Sequence, residues 1–253
     1  MCVRHPDRAT GLRCVRCDRP ACPQCLREAS VGYQCVDCVA EGRRTQRVAT
    51  TMAGARLNLQ HVVIPVLIAV NVLVFAVTVA QAGSLAGNAE ADLFRQWVLS
   101  SPAVAGGQLW RLVTSGFLHF GPVHLALNMI ALYVIGRDLE VILGRGRFVT
   151  VYLVSLLGGS AAVFLLEDPT RFTAGASGAV YGLMGGLVVV LVRLRRSPGA
   201  ALGIIAINVV ITFTLPGISI YGHLGGLAFG TAATAAMAYA PPPRRLAVHE
   251  MGP

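Results

Sequence analysis

The sequence predicts an all-α polytopic membrane protein, six transmembrane helices preceded by a small cysteine-rich N-terminal domain. Three observations carry this. Of 253 residues, 55% are hydrophobic and only 13% are charged, about half the charged share of a soluble domain. The apolar residues gather in six segments near 62–82, 121–142, 148–166, 176–193, 199–214 and 220–239, against the roughly 20 residues that a spanning helix needs. All seven cysteines lie before residue 39.

The N-terminal stretch, 1–38, reads Cys2-x-x-His5, Cys14-x-x-Cys17, Cys22-x-x-Cys25 and Cys35-x-x-Cys38. A two-residue gap lets both members of a pair reach one ion, and tetrahedral zinc takes four thiolate or imidazole ligands. The eight ligands therefore fit two structural zincs. Disulfides are the competing reading, opposed by the odd cysteine count and by a cytoplasmic location. The pattern resembles small treble or cross-braced fingers of the B-box type. A cross-brace would pair Cys2, His5, Cys22 and Cys25 on one ion and Cys14, Cys17, Cys35 and Cys38 on the other; sequential pairing stays open. So short a segment has almost no apolar core, so metal must supply its folding energy.

Residues 39–60 read as a basic linker, lying on the cytoplasmic membrane surface or serving as a plain tether. Residues 61–240 form the helical domain and 241–253 a cytoplasmic tail. The first apolar run begins near Val62, so no cleavable signal peptide is expected. The net charge of +9 raises nucleic acid as a partner. The arginines sit in the N-terminal region or beside apolar segments, which fits orientation and contact with anionic lipid instead.

Loop charge sets that orientation. Arg145 and Arg147 mark the 143–147 loop, Arg193, Arg195 and Arg196 the 194–198 loop, and Arg244 and Arg245 the tail. The 167–175 loop carries Glu167, Asp168 and Arg171, and the 215–219 loop carries no charge. The positive-inside rule then puts both termini in the cytoplasm, and the expected location is the plasma membrane of a prokaryote. The 83–118 connection lies outside, with Leu93–Leu99 and Trp110-Arg111 suited to the interface.

Polar groups within apolar helices are expensive and mark candidate sites. Ser177 and His223 each open an apolar segment at its external end. A serine and a histidine so placed suggest an activated nucleophile and its base. His124 and Asn128, four apart, share a face of the second segment. Taken singly, each fits interhelical hydrogen bonding; together, they suggest a catalytic site. Small faces that include Gly226-x-x-x-Gly230 would let the serine and histidine helices approach closely.

The chain from about 60 to 239 resembles the rhomboid intramembrane serine proteases. The matching features are Trp110-Arg111, His119-x4-His124-x3-Asn128, Glu140 with Gly144, Gly175-Ala176-Ser177-Gly178, Tyr181, and His223-x2-Gly226-x3-Gly230, in family order. The resemblance implies the six-helix rhomboid fold with the finger as an added domain. It also implies a Ser177–His223 dyad, with Tyr181 packed on the histidine ring. His124, Asn128 and the Ser177 backbone N–H would be the oxyanion donors. A polar cavity lined by His119, His124, Asn128 and Ser177 would admit water. No carboxylate is expected as a third member, and Glu140 and Arg137 are expected to be structural. The substrates implied are transmembrane proteins cut near the external face of the lipid bilayer, with no catalytic cofactor; the finger is left free to meet a protein partner. Two other readings stand beside this one. The first is a rhomboid-fold pseudoprotease that binds or escorts membrane proteins, and the second is a small transporter or channel, for which no internal repeat is evident.

Overall fold

The computed structural model describes residues 1–45, 51, 60–214 and 217–239. The chain divides into two units, Met1–Ala49 and Thr50–Pro253. The tail, 241–253, and most of the stretch read as a linker lie outside the described residues.

In the first unit, strands β1 (Leu26–Glu28) and β2 (Tyr33–Cys35) pair antiparallel, with Leu26 opposite Cys35, and α1 (Val36–Thr45) follows. Helix α1 continues seven residues past the last cysteine. Residues 39–45 of the stretch expected to be a linker are thus helical, continuing the helix that contains Cys38. Apart from cysteines, the buried apolar residues in the described part of this unit are Ala21 and Leu26. Two side chains cannot supply a core.

The second unit is built from helices. The long ones are α2 (Val63–Ala82), α6 (Gly121–Leu143), α7 (Arg145–Leu166), α8 (Ser177–Arg193), α9 (Gly199–Thr214) and α10 (Ile220–Tyr239). Short helices α3 (Asp92–Trp97), α4 (Ser101–Ala105) and α5 (Arg111–Thr114) lie between α2 and α6. The expected 143–147 loop shrinks to Gly144, since Arg145 and Arg147 already belong to the first turn of α7. Among the described residues, Val63–Ala82 and Arg145–Leu166 are each long and apolar enough to cross a membrane. Gly121–Leu143 joins them only when taken with Arg111–Phe117, across a 94° bend. Helices α8 and α9 are apolar but shorter; 17 residues rise only about 25 Å.

The core packs Leu132, Leu139 and Leu143 of α6 against Phe148, Val151, Tyr152 and Leu156 of α7 and Leu183 of α8. Helix α2 is fastened to α6 by a buried carboxylate. Glu140 Oε1 accepts the Val62 and Val63 N–H groups at 2.8 and 2.9 Å, and Oε2 accepts that of Ile64 at 3.1 Å. These are helix-start donors with no intrahelical partner, and a carboxylate there also meets the positive end of the helix dipole. Arg137 stays half-exposed beside Asp138 and the Tyr133 ring.

The 83–118 connection is held by Arg111. Its guanidinium is buried and donates to Gln108 Oε1 at 2.7 Å and to the carbonyls of Arg95 and Val98 at 2.8 and 2.6 Å. Five fixed donors in one plane suit this stapling of carbonyls. Asn88 then ties the end of α2 to the start of α6. Its Nδ2 donates to Thr78 Oγ1 at 3.2 Å and to the His119 carbonyl at 2.8 Å, and its Oδ1 accepts the Gly121 N–H at 3.1 Å.

Candidate active site

Helices α8 and α10 run parallel in close contact, and glycine makes the contact possible. A Cβ on Gly226 would run into the Gly178 carbonyl oxygen, and one on Gly230 into Cα of Gly182. The matched pairs, 178 with 226 and 182 with 230, put both helix starts at the same end. Ser177 opens α8, and His223 sits in the first turn of α10.

Each start is pinned. The strand-like stretch before Ser177 pairs with the 83–118 connection: Leu99 and Thr173 exchange N–H···O bonds of 3.0 and 3.1 Å, and the Gly175 N–H donates to the Ser115 carbonyl at 3.0 Å. Gly175 has φ +130°, a conformation side chains rarely adopt. A Cβ there would also lie 2.9 Å from His124 Nε2 and 3.6 Å from Ser177 Oγ, so the residue is small because the site is crowded. At α10, Ser219 Oγ accepts the Gly222 N–H at 3.0 Å as an N-cap and donates to Glu167 Oε2 at 2.8 Å.

Ser177, His223, His124, Asn128 and Tyr181 line one cavity of about 820 Å³. Among the described residues no hydrogen bond joins Ser177 Oγ to His223; such bonds are often long before substrate arrives. The Tyr181 ring stacks on the His223 imidazole at 4.1 Å between centroids. His223 Nδ1 lies 2.8 Å from Thr212 Oγ1 of α9. Among the described residues His223 Nε2 has no hydrogen-bond partner, and His223 lines the cavity. No carboxylate partners His223 among the described residues; Glu167 also lines the cavity but is engaged by Ser219 and Arg171.

The donors around Ser177 follow from tautomers and caps. His124 Nδ1 accepts the Phe120 N–H at 3.2 Å, so the neutral ring carries its proton on Nε2, the nitrogen beside Gly175. Asn128 Nδ2 donates one proton to the His124 carbonyl at 2.9 Å, leaving its second. The first bond of α8 runs from the Val180 N–H to the Ala176 carbonyl at 3.0 Å, so the Ser177 N–H precedes the bonded turn.

His119 does not line this cavity, contrary to the expectation from sequence. It is 1% exposed with both ring nitrogens unpartnered, and it packs edge-on against His124 at 5.1 Å. Asn88, holding the His119 carbonyl, turns the residue inward. A second pocket of about 30 Å³, large enough for about one water, reaches Ser177 between Ser115, Gly159 and Ser160.

The sequence reading missed Thr212, Asn88 and the Glu167–Ser219 cap. Only the cap had a signal, a serine ahead of an apolar run.

In the first unit the ligand atoms of Cys2, His5, Cys22 and Cys25 lie within 4.8 Å of one another, and so do those of Cys14, Cys17, Cys35 and Cys38. This is the cross-braced grouping. Tetrahedral zinc implies ligand–ligand edges of roughly 3.5–3.8 Å. His5 Nδ1 is 3.9, 3.4 and 3.3 Å from the sulfurs of Cys2, Cys22 and Cys25, and the Cys17 and Cys35 sulfurs are 3.7 Å apart. The residues thus fit the metal. The thiols ionise unevenly: burial pushes Cys25 up to about 11 and Cys38 up to about 12. The backbone N–H of Cys22 draws Cys2 down to about 6. A dication at each centre would hold them all as thiolates.

Compared with known families, residues 106–240 match the rhomboid domain. The chain is 39% identical over 139 residues to rhomboid protease GluP of Bacillus subtilis, covering 53% of this chain and 27% of that protein. It is 39% identical over 136 residues to the mitochondrial RHOMBOID-like protein 6 of Arabidopsis thaliana, covering 50% and 43%. It is 34% identical over 140 residues to rhomboid-like protease 3 of Toxoplasma gondii, covering 52% and 53%. The match thus spans from about a quarter to about half of these relatives' own length. Sources so diverse carry the expectation of a prokaryotic membrane no further.

Proposed function

The chain belongs to the rhomboid family, and from that premise we propose that it is an intramembrane serine endopeptidase with Ser177 as nucleophile and His223 as base. One observation carries the reading. The parallel, glycine-faced α8 and α10 bring a serine and a histidine to one end of one cavity, beside unspent N–H donors.

The chemistry follows from those atoms. Ser177 Oγ attacks the scissile carbonyl carbon while His223 Nε2 takes its proton. The oxyanion meets His124 Nε2–H, the free Asn128 Nδ2–H and the Ser177 N–H, donors fixed before charge develops. The imidazolium then gives its proton to the leaving amine, which departs and leaves an acyl-serine. Water attacks the ester, His223 takes a proton from it, and the proton returns to Ser177 as the acid leaves. The water-sized pocket that also reaches Ser177 suits the second half.

The substrates in this reading are transmembrane proteins whose helices unwind near the site, since an intact helix hides its carbonyls. The six long helices act as six spans, with both termini cytoplasmic and the site opening outward. The N-terminal unit holds two structural zincs in a cross-brace and takes no part in the chemistry.

The test uses the purified full-length chain in detergent with a fluorophosphonate probe and a model transmembrane substrate. Ser177→Ala and His223→Ala stay folded and lose cleavage, and Ser177→Ala loses labelling. Cleavage by purified Ser177→Ala at a wild-type rate would remove the proposed nucleophile. A folded wild-type chain that neither labels nor cleaves would favour a rhomboid fold that only binds.

A further inference from the structure

The Nδ1 side of His223 meets a hydroxyl where a triad would have a carboxylate. Thr212 Oγ1 has three close neighbours: the Asn208 carbonyl oxygen at 2.8 Å, the Tyr181 phenol oxygen at 2.6 Å and His223 Nδ1 at 2.8 Å. A hydroxyl has one proton and two lone pairs. The Asn208 carbonyl can only accept, so the Thr212 proton goes to it, one turn back along α9. Both lone pairs then face donors. The Tyr181 phenol proton fills one. The other requires a proton on His223 Nδ1.

Other assignments fail by count. If Thr212 gave its proton to His223, the Asn208 carbonyl would face a bare lone pair at 2.8 Å. If it gave its proton to Tyr181, the Asn208 contact would likewise be left unmade, and Nδ1 would still have to be the donor to Thr212. Either way a bare lone pair of Thr212, which is 3% exposed, would face the Asn208 carbonyl oxygen at 2.8 Å, so the arrangement that makes all three contacts is favoured.

Burial also singles out this residue. Its neighbours Ile211 and Phe213 are 40% and 60% exposed, and the buried residues of α9 are Ala201 and Thr212. Thr214, the same side chain two residues on, is exposed and bonds back to the carbonyls of Val210 and Ile211.

We infer that Thr212 is a positioning residue that fixes His223 in the Nδ1–H tautomer and leaves Nε2 bare toward Ser177. This rests on the proposed roles of Ser177 and His223. A neutral imidazole carries one proton, so a donor at Nδ1 makes Nε2 the base. Nδ1 stays protonated when Nε2 takes the serine proton, so the contact survives every step. Thr212 thereby does the orienting and tautomer-fixing part of the task a buried aspartate performs in a triad, without supplying a charge. Tyr181 serves twice, by stacking on the imidazole and by occupying the second lone pair of Thr212.

The test compares full-length wild type, Thr212→Val and Thr212→Ser in detergent. Valine keeps the shape and removes the hydroxyl; serine keeps the hydroxyl. Thr212→Val is expected to lower kcat and the fluorophosphonate labelling rate about 10- to 100-fold, the worth of one well-placed hydrogen bond, with KM unchanged. Thr212→Ser is expected within about 3-fold of wild type by the same count. Imidazole ¹⁵N spectra, with His223 assigned by its loss in His223→Ala, should show Nδ1–H in wild type and in Thr212→Ser. Thr212→Val should shift that signal toward Nε2–H. An Nε2–H signal in wild type overturns the inference, and this measurement needs no Thr212 variant to fold. So does Thr212→Val labelling at the wild-type rate. A wild type that shows Nδ1–H yet never labels would instead remove the serine-protease reading.

Discussion

The phenol ring of Tyr181 lies flat on the imidazole of His223, with centroids 4.1 Å apart and planes 18° from parallel. Tyr181 is one helical turn beyond Ser177, so the same face of α8 presents the candidate nucleophile and clamps its base. The stack fixes the imidazole plane, and the phenol oxygen, 2.6 Å from Thr212, anchors the far end of the ring. The two contributions separate by mutation. Tyr181→Phe keeps the stack and loses one hydrogen bond, so kcat is expected to fall about 3- to 10-fold. Tyr181→Ala loses the stack as well, and a fall on the order of 100-fold is expected. Steady-state kinetics with a transmembrane substrate read both; equal losses for the two variants would show that the ring itself contributes nothing.

The donor set predicts a different kinetic signature. His124 and Asn128 are directed at a charge that exists only after attack. His124→Ala and Asn128→Ala are each expected to lower kcat about 10²- to 10³-fold with KM little changed, as for loss of one oxyanion donor. The His124 carbonyl holds Asn128 through the backbone, so His124→Ala leaves Asn128 in place and the two losses can be measured apart. Variants that melt early but cleave normally would mark these residues as interhelical glue.

The helix contact predicts a loss of stability with an internal control. In Gly226→Ala the new methyl meets the Gly178 backbone, which cannot step aside as a side chain could. Overpacking costs about 1–3 kcal/mol where neighbours can yield. Here the upper end or loss of the fold is expected, along with lost cleavage, because the helices carrying Ser177 and His223 are forced apart. Gly203→Ala, on α9 with nothing within 4 Å of the added Cβ, should instead gain up to about 1 kcal/mol from helix propensity. Thermal melting in detergent distinguishes them; equal midpoints would refute the close-packing argument.

What the sequence disclosed follows the physics of each feature. Helix bounds were legible because hydropathy changes sharply at them, as at 62–82 against the observed Val63–Ala82. The third helix was placed late, at 148, because Arg145 and Arg147 look like loop residues although a helix end beside Gly144 accepts them. Ser177, His223, His124 and Asn128 stood out as polar groups in apolar surroundings. Thr212 did not. In Ile-Thr-Phe-Thr the two threonines are chemically identical, and only packing buries one of them against His223. Asn88 was equally hidden, since its partners lie 10 and 31 residues away. His119 misled for the opposite reason: its place near His124 in sequence suggested the cavity, but the Asn88 side chain holds its carbonyl and its ring is buried against His124.

The last prediction concerns metal. The eight candidate ligands fall between Cys2 and Cys38, and the candidate catalytic residues between His124 and His223, in separate units of the chain. The first unit buries little apart from its cysteines, Ala21 and Leu26, so its folding free energy must come from ion binding, which in small zinc domains reaches about 10–16 kcal/mol. Metal analysis of the full-length chain is therefore expected to give two zincs. Cys14→Ser should lose one site and melt the unit, because the β1–β2 pair and α1 are joined at Cys35 and Cys38 to the same centre. Chelation should unfold the first unit and leave transmembrane-substrate cleavage intact, and a chain starting near Ala55 should cleave without binding zinc. A truncated chain that is folded but inert toward both substrate and fluorophosphonate would refute this division, and would make the metal-bound unit part of the catalytic machinery.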